Sequence, residues 1–223
     1  MKKLAAIFDM DGTLIDNNAY HFLAYQQLFK THRLPELSQQ TFNEQLSGVP
    51  GLTGLHHLLD GRFKEDEVKA MFEEKNENYK KVYAPYIKPI NGLERFLAEL
   101  KDAGVKMAVA TSASHGNVDF VFGHLNIRQY FDAIVDNTGL THGKPDPEIF
   151  LKAAAQLNME PANCVVFEDS ISGVKAANSA GMKVVAITTT HKAGELKPVN
   201  LLINDYADID INKLTALFDD KDE

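Results

Sequence analysis

The sequence predicts an α/β protein built on a doubly wound parallel sheet, with a helical insert following the first strand. Three observations predict it. Short, uninterrupted apolar runs recur along the chain, helix-like segments alternate with them, and one long stretch, from about Asn17 to about Tyr83, holds helical patterns and no buried strand.

The first run, Leu4–Phe8, is too short for a helix and stops at Asp9. Val105–Ala110, Ala133–Val135, Cys164–Phe167 and Val184–Ile187 read the same way. Continuous β-branched and aliphatic runs mark strands buried on both faces, the condition of parallel strands covered by helices. Gly92–Ala103, Pro147–Leu157 and Ser172–Ala180 are the helices between them. Strand–helix alternation specifies the α/β class. Gly104 and Gly181 each stand between a helix and the next strand, where a left-handed residue ends a helix. In the insert the helical patterns are His21–His32, Gln40–Leu46, Leu52–Leu59 and Glu65–Tyr83. The last carries Val68, Met71, Phe72 and Tyr79 at the spacing of one apolar stripe. Pro85 and Pro89 punctuate the return to the sheet. The expected division is 1–16 with 85–223 as the sheet domain and 17–84 as a smaller helical domain. Asp219–Glu223 reads as a frayed end.

Composition narrows the function. The chain has 223 residues, 44% hydrophobic and 24% charged, an ordinary globular balance. Lys+Arg 23 against Asp+Glu 31 gives a net charge of −8. No general attraction to nucleic acid or anionic lipid follows, so an anionic substrate needs a local metal or a few placed cations. Cys164 stands alone, which excludes an internal disulfide and a multi-cysteine zinc site. No apolar run reaches membrane-spanning length. The N-terminus meets acidic residues too early for a signal peptide. A cytoplasmic protein is expected, without nucleic-acid or membrane partners. No exposed apolar stripe stands out, and a monomer is expected.

In an open parallel sheet, ligands bind outside the carboxyl ends of the strands. The apolar runs are followed there by Asp9-Met10-Asp11-Gly12-Thr13, by Thr111-Ser112, by Gly143-Lys144-Pro145 and by Glu168-Asp169-Ser170. Four carboxylates on one rim repel each other unless a cation sits among them. Oxygen-only ligands suit Mg²⁺, which is commonly completed by water and a substrate phosphate. One carboxylate could attack phosphorus and form an aspartyl phosphate. A second, two residues along, has the reach to protonate the leaving oxygen and then activate water. Lys144 and a hydroxyl would hold the phosphoryl oxygens.

Asp9-Met10-Asp11-Gly12-Thr13, Thr111-Ser112, Lys144-Pro145 and Glu168-Asp169 resemble the four motifs of the haloacid dehalogenase superfamily of phosphotransferases. The helical insert resembles the cap of its β-phosphoglucomutase-like branch, most closely at Phe42–Val49 and Lys75–Tyr79. The resemblance spans nearly the whole chain and weakens after about Thr190. It implies a Rossmann-like core with an inserted helical cap, and these roles. Asp9 is nucleophile and metal ligand. Asp11 is general acid/base, its main-chain carbonyl also on Mg²⁺. Thr111 and Lys144, with Ser112, bind the transferring phosphate. Glu168 and Asp169 complete the metal site. The implied partner is a small phosphorylated metabolite. His21 is retained where the mutases have a histidine near the cap hinge. Two departures bear on substrate. Ser47 stands where the mutases have a lysine, and Gly51 where they have an arginine that grips a second phosphate. Losing a bidentate anion contact favours hydrolysis over mutase action. Asn17, His21, Ser47, Gly48, Gly54 and His115 are the substrate-facing candidates.

Bland readings compete. Asp9 and Asp11 fail as a calcium loop, because Thr13 and Leu14 fill the next key positions and a strand precedes. Gly139–Lys144 fails as a P-loop, with Pro145 where Ser or Thr must stand. Thr111 alone reads as a capping hydroxyl, Glu168-Asp169 as a helix-start acidic pair, and Lys144 as a solvated lysine. His56 and His57 read as ordinary insert histidines, Cys164 as a buried inert thiol, and Phe120, Phe122 and Phe131 as core aromatics. The leading expectation is a Mg²⁺-dependent phosphatase acting on a small phosphate ester, a phosphosugar. The alternatives are a β-phosphoglucomutase or related phosphomutase and a binding protein that has lost catalysis; a dehalogenase suits Lys144, Glu168 and Asp169 less well.

Overall fold

The computed structural model describes residues 3–47, 49 and 51–219. Elements follow in chain order. Strand β1 (Ala5–Phe8) leads into four helices, α1 (Asn18–Thr31), α2 (Gln39–Gln45), α3 (Gly51–Leu59) and α4 (Glu65–Tyr83). Then come α5 (Leu93–Asp102), β2 (Lys106–Ala110), α6 (His115–His124), β3 (Ala133–Val135), α7 (Glu148–Gln156), β4 (Cys164–Glu168), α8 (Ile171–Ser179), β5 (Lys183–Ile187), β6 (Leu201–Ile203) and α9 (Ile211–Thr215).

The strands form one parallel sheet in the order β3-β2-β1-β4-β5-β6. The order reverses between β1 and β4, so the crevice at their carboxyl ends is the topological switch point. The five apolar runs form strands β1 to β5 as expected, with β3 at one edge; β6, a sixth strand of three residues, forms the other edge.

Both faces of the sheet are buried, and the period-two pleat divides each strand between them. Ala6, Phe8, Val165, Phe167, Val185 and Ile187 join one cluster, together with Phe96 and Leu97 of α5 and Val121 of α6. Ala5, Ile7, Cys164, Val166, Val184 and Ala186 join the other, with Ile149, Phe150 and Ala153 of α7 and Val174 and Ala177 of α8. The Phe8 and Phe167 rings stack at 4.5 Å and fasten β1 to β4 directly beneath the crevice. Phe131 is buried as expected, but Phe120 and Phe122 are only half-buried against that core. Helix α6 brings them to the rim of the sheet, where solvent still reaches. Gly104 and Gly181 take positive φ, 71° and 72°, and end α5 and α8.

Helices α1–α4 enclose a third cluster: Tyr25, Leu28, Phe29, Leu37, Phe42, Leu46, Leu55, Leu59, Val68 and Met71. The stripe expected on α4 supplies Val68 and Met71 to it, while Tyr79 turns to the sheet-side cluster. Tyr20 and Tyr83 pack at 4.5 Å where the chain leaves and rejoins the sheet. Among the described residues, no helix is long and apolar enough to cross a membrane.

Candidate active site

The site starts where β1 ends. The Asp9 N–H donates to the Phe167 carbonyl at 3.0 Å, one more rung of the ladder, so the Asp9 carboxylate emerges off the edge of the sheet. The chain then turns: the N–H groups of Thr13 and Leu14 donate to the Met10 carbonyl at 3.2 and 2.8 Å. Buried Met10, Leu14 and Ile15 anchor this turn from below. Gly12 has φ 74°, and a Cβ there would collide with the Asp169 carboxylate. Only glycine allows this close approach.

Lys144 crosses from the loop before α7. Its Nζ donates to Asp9 Oδ1 and to Glu168 Oε1, each at 2.6 Å, with all three side chains buried. The other oxygen of Glu168 accepts from Asp169 N, Ser170 N and Ser170 Oγ at 2.9, 2.8 and 2.8 Å. Glu168 thus holds both the lysine and the turn that opens α8. Asp169 accepts a hydrogen bond from Thr13 Oγ1 at 3.4 Å and another from Thr190. Thr111 is buried at the end of β2, its N–H donating to the Val135 carbonyl at 2.9 Å and its Oγ1 accepting from Ala113 N at 3.1 Å.

The charges do not balance. Asp9, Glu168 and Asp169 face one ammonium, so with all three ionised the buried site would carry two uncompensated negative charges. Burial, reinforced by Glu168 and Asp11 and opposed by Lys144, pushes the Asp9 carboxyl up to about 7. Burial and the charges of Glu168 and Asp9 push Asp169 well up too. The Lys144 ammonium is held above its ordinary range: burial opposes its charge, but Asp9 and Glu168 outweigh burial. An oxygen-only donor set short of two positive charges fits a hard divalent cation such as Mg²⁺.

Asp11 belongs to a second network, reaching into the helical segment. Asn17 Nδ2 donates to Asp11 Oδ1 at 2.6 Å and to Tyr79 Oη at 2.7 Å. His21 Nε2 lies 3.9 Å from Asp11 Oδ2, and its Nδ1 faces Lys75 Nζ at 2.9 Å. Lys75, 4% exposed, also lies over the Tyr25 ring at 4.7 Å. Burial and the Lys75 charge hold His21 below its ordinary range. A neutral His21 accepting from Lys75 at Nδ1 turns an N–H toward Asp11. Burial raises Asp11, but His21, Asn17 and Lys75 outweigh it and keep the carboxyl low.

Asp9, Asp11, His21, Thr111, Ser112, Lys144, Glu168 and Asp169 all line one cleft of about 150 Å³. Sites for drug-sized ligands run to roughly 300–1,000 Å³, so this one suits a small metabolite. Asn17 and Ser47 line it as well, and Ser47 Oγ donates to Asn18 Oδ1 at 3.2 Å. Gly48 lies outside the described residues. Two candidates stand elsewhere. Gly54 is buried against Gln45 and Leu46, and His115, its side chain 74% exposed, pairs with Asp136 at 2.9 Å. Sequence reasoning assigned no role to Lys75, Asn76, Asn117 and Thr190, which also line the cleft. Lys75 and Asn76 were legible only as part of a family-like segment.

Fold and cleft define an α/β protein with its candidate site at the carboxyl edge of its sheet. The chain belongs to the haloacid dehalogenase-like hydrolase family, whose model matches residues 6–187. It is 35% identical over 179 residues to the phosphorylated carbohydrates phosphatase of Thermotoga maritima, covering 80% of this chain and 82% of that protein. It is 34% identical over 190 residues to the beta-phosphoglucomutase of Bacillus subtilis, covering 82% of each. The crystal structure of beta-phosphoglucomutase from Clostridium difficile matches with a TM-score of 0.88 at 29% identity, covering 97% of each chain.

Proposed function

We propose that the protein is a Mg²⁺-dependent phosphatase that hydrolyses a small phosphate monoester, a phosphosugar, through an aspartyl phosphate. The observation that carries this reading is the convergence of Asp9, Asp11, Lys144 and Asp169 on one cleft at the switch point of the sheet. A carboxylate oxygen of Asp9 attacks phosphorus as the bond to the ester oxygen breaks. Asp11, entering this step protonated, gives that oxygen its proton and the alcohol leaves. Asp11 then takes a proton from water as the water attacks phosphorus, which frees inorganic phosphate and restores Asp9. Lys144, Thr111 and Ser112 hold the phosphoryl oxygens as charge spreads over them. Asp9, Asp11 and Asp169 would hold the metal, with Glu168, already committed to Lys144 and the α8 turn, completing the site from behind. When bound, Mg²⁺ offsets the surplus negative charge and lets an anionic phosphate approach.

Hydrolysis is favoured over mutase action by the cleft's cations. Among its described lining residues the lysines are Lys75, engaged with His21, and Lys144, engaged with Asp9 and Glu168. At the mutase arginine position Gly51 packs against Phe72 and accepts from Tyr25 Oη at 3.4 Å. No arginine is among the described lining residues to grip a second phosphate bidentately. The Thermotoga relative, a phosphatase of phosphorylated carbohydrates, supports the same reading. The second reading, a phosphomutase, draws on the Bacillus and Clostridium relatives. We further propose that residues 17–84, which have their own buried cluster, act as a cap over the core formed by 1–16 and 85–223.

The test is an assay of sugar monophosphates with Mg²⁺ and with chelator, following both free phosphate and isomer interconversion. Metal-dependent phosphate release without isomerisation is expected. Isomer formation stimulated by a sugar bisphosphate supports the mutase instead.

A further inference from the structure

Among the described residues, buried side-chain atoms without a hydrogen-bond partner fall on four residues: Asn17, Asn76, Glu99 and Asn117. Three of the four line the cleft. Asn76 is the extreme case: it is 2% exposed, and neither its Oδ1 nor its Nδ2 has a partner. Asn117 is 6% exposed, with its Oδ1 unpartnered. A buried carboxamide left unpaired costs stability, and folded proteins otherwise pair such groups. Asn178 shows the ordinary outcome, its Nδ2 donating at 2.9 Å to the carbonyls of Val174 and Pro198. Unpaired amides gathered in one small cleft mark groups whose partner comes from outside.

Their placement fits that role. Asn76 sits on α4, one residue beyond Lys75. Asn117 sits in the first turn of α6, just past the β2 end that carries Thr111. The two helices meet through Tyr79 and Phe120, whose rings are 5.9 Å apart. The amides therefore flank the cleft from the helical segment and from the rim of the sheet. A carboxamide is neutral and offers both donors and an acceptor, the complement of a hydroxyl. An apolar substrate tail would leave both amides unpaired. A second phosphate would need a further cation: of the lining lysines, Lys144 is assigned to the reacting phosphoryl group and Lys75 sits beside His21, near Asp11.

We propose that Asn76 and Asn117 read the hydroxyl groups of the non-reacting part of the substrate, so that the preferred class is a small polyhydroxylated phosphate monoester with no second charged group. This rests on the phosphatase reading above. The test compares phosphate release by the Mg²⁺-loaded enzyme from a set of pentose and hexose monophosphates with that from phenyl phosphate, which has the same reacting group and no hydroxyl. The wild type is expected to prefer a sugar monophosphate. In Asn76→Leu the ratio of kcat/KM for that sugar ester over phenyl phosphate is expected to fall by about 10–100-fold, the scale of one lost neutral hydrogen bond. The melting temperature of the metal-free variant is expected to hold or rise, because an unpaired amide has been replaced by an apolar group of similar size. If Asn76→Leu does not fold, Asn76→Ala and Asn117→Leu carry the same comparison. An unchanged ratio overturns the proposal. A wild type that releases phosphate from no ester overturns the phosphatase reading itself, whereas an active wild type with an unchanged ratio in the variants removes the hydroxyl reading alone.

Discussion

Lys144 Nζ lies 2.6 Å from Asp9 Oδ1, across 135 positions of sequence, at the point where β1 leaves the sheet. The same ammonium holds Glu168. Removing one member of a buried ion pair leaves uncompensated charge and costs about 3–5 kcal/mol. Lys144→Met is therefore expected to lower stability by that amount in metal-free buffer, measured by urea unfolding. A midpoint equal to the wild type would mean that Asp9 and Glu168 do not need the lysine.

Asp11 differs from Asp9 in what surrounds it. Its carboxyl accepts from Asn17 at 2.6 Å and faces His21 at 3.9 Å, and these contacts, with Lys75, hold its pKa below the ordinary carboxylate value despite burial. Asp11→Asn removes the acid and base. Phosphate release from a sugar ester is expected to drop by roughly 10²–10⁴-fold. With nitrophenyl phosphate the drop is expected to be smaller, because that leaving group departs without a proton. Equal losses on both esters would deny Asp11 a role in protonating the leaving oxygen.

Lys75 gives a pH signature. Burial lowers its pKa from 10.5 to about 8. Between those two values the unfolded chain holds a proton that the folded chain has released, so this group makes stability rise with pH across that window. The difference, 10.5 − 8 or about 2.5 pH units at 1.36 kcal/mol each, is on the order of 3 kcal/mol. Lys75→Met is expected to be more stable than the wild type at pH 7, with the gap closing by pH 10. Urea unfolding of both proteins at the two pH values checks it; a gap independent of pH counts against a strained lysine.

The sheet was legible because strands buried on both faces cannot alternate, and their runs end at the polar residues that line the candidate site. Asp9, Thr111, Lys144 and Asp169 could be found from that edge rule and their family-like order alone. Strand β6 escaped because Leu201 and Leu202 are only half-buried and no helix-like segment separates them clearly from β5. Helix α6 escaped because His115–His124 carries no clean apolar stripe; one side meets the sheet and the other meets α4. The polar lining escaped for a related reason. On α4, Val68 and Met71 announce a core-facing stripe, but Lys75, Asn76 and Asn78 read as a solvated face in sequence. Lys75 is buried against Tyr25 and His21 of α1, and Asn76 lines the cleft, tertiary relations that no local spacing encodes.

The central claim is that Asp9 itself carries the phosphoryl group. Rapid acid quenching of the wild type during turnover of a sugar monophosphate, followed by peptide mass spectrometry, tests it most directly. The expected result is a mass increase of one phosphoryl group on the peptide holding Asp9, absent in Asp9→Asn, whose phosphate release falls to background. A phosphoryl group on any other residue, or sustained turnover by Asp9→Asn with its asparagine intact, would contradict it.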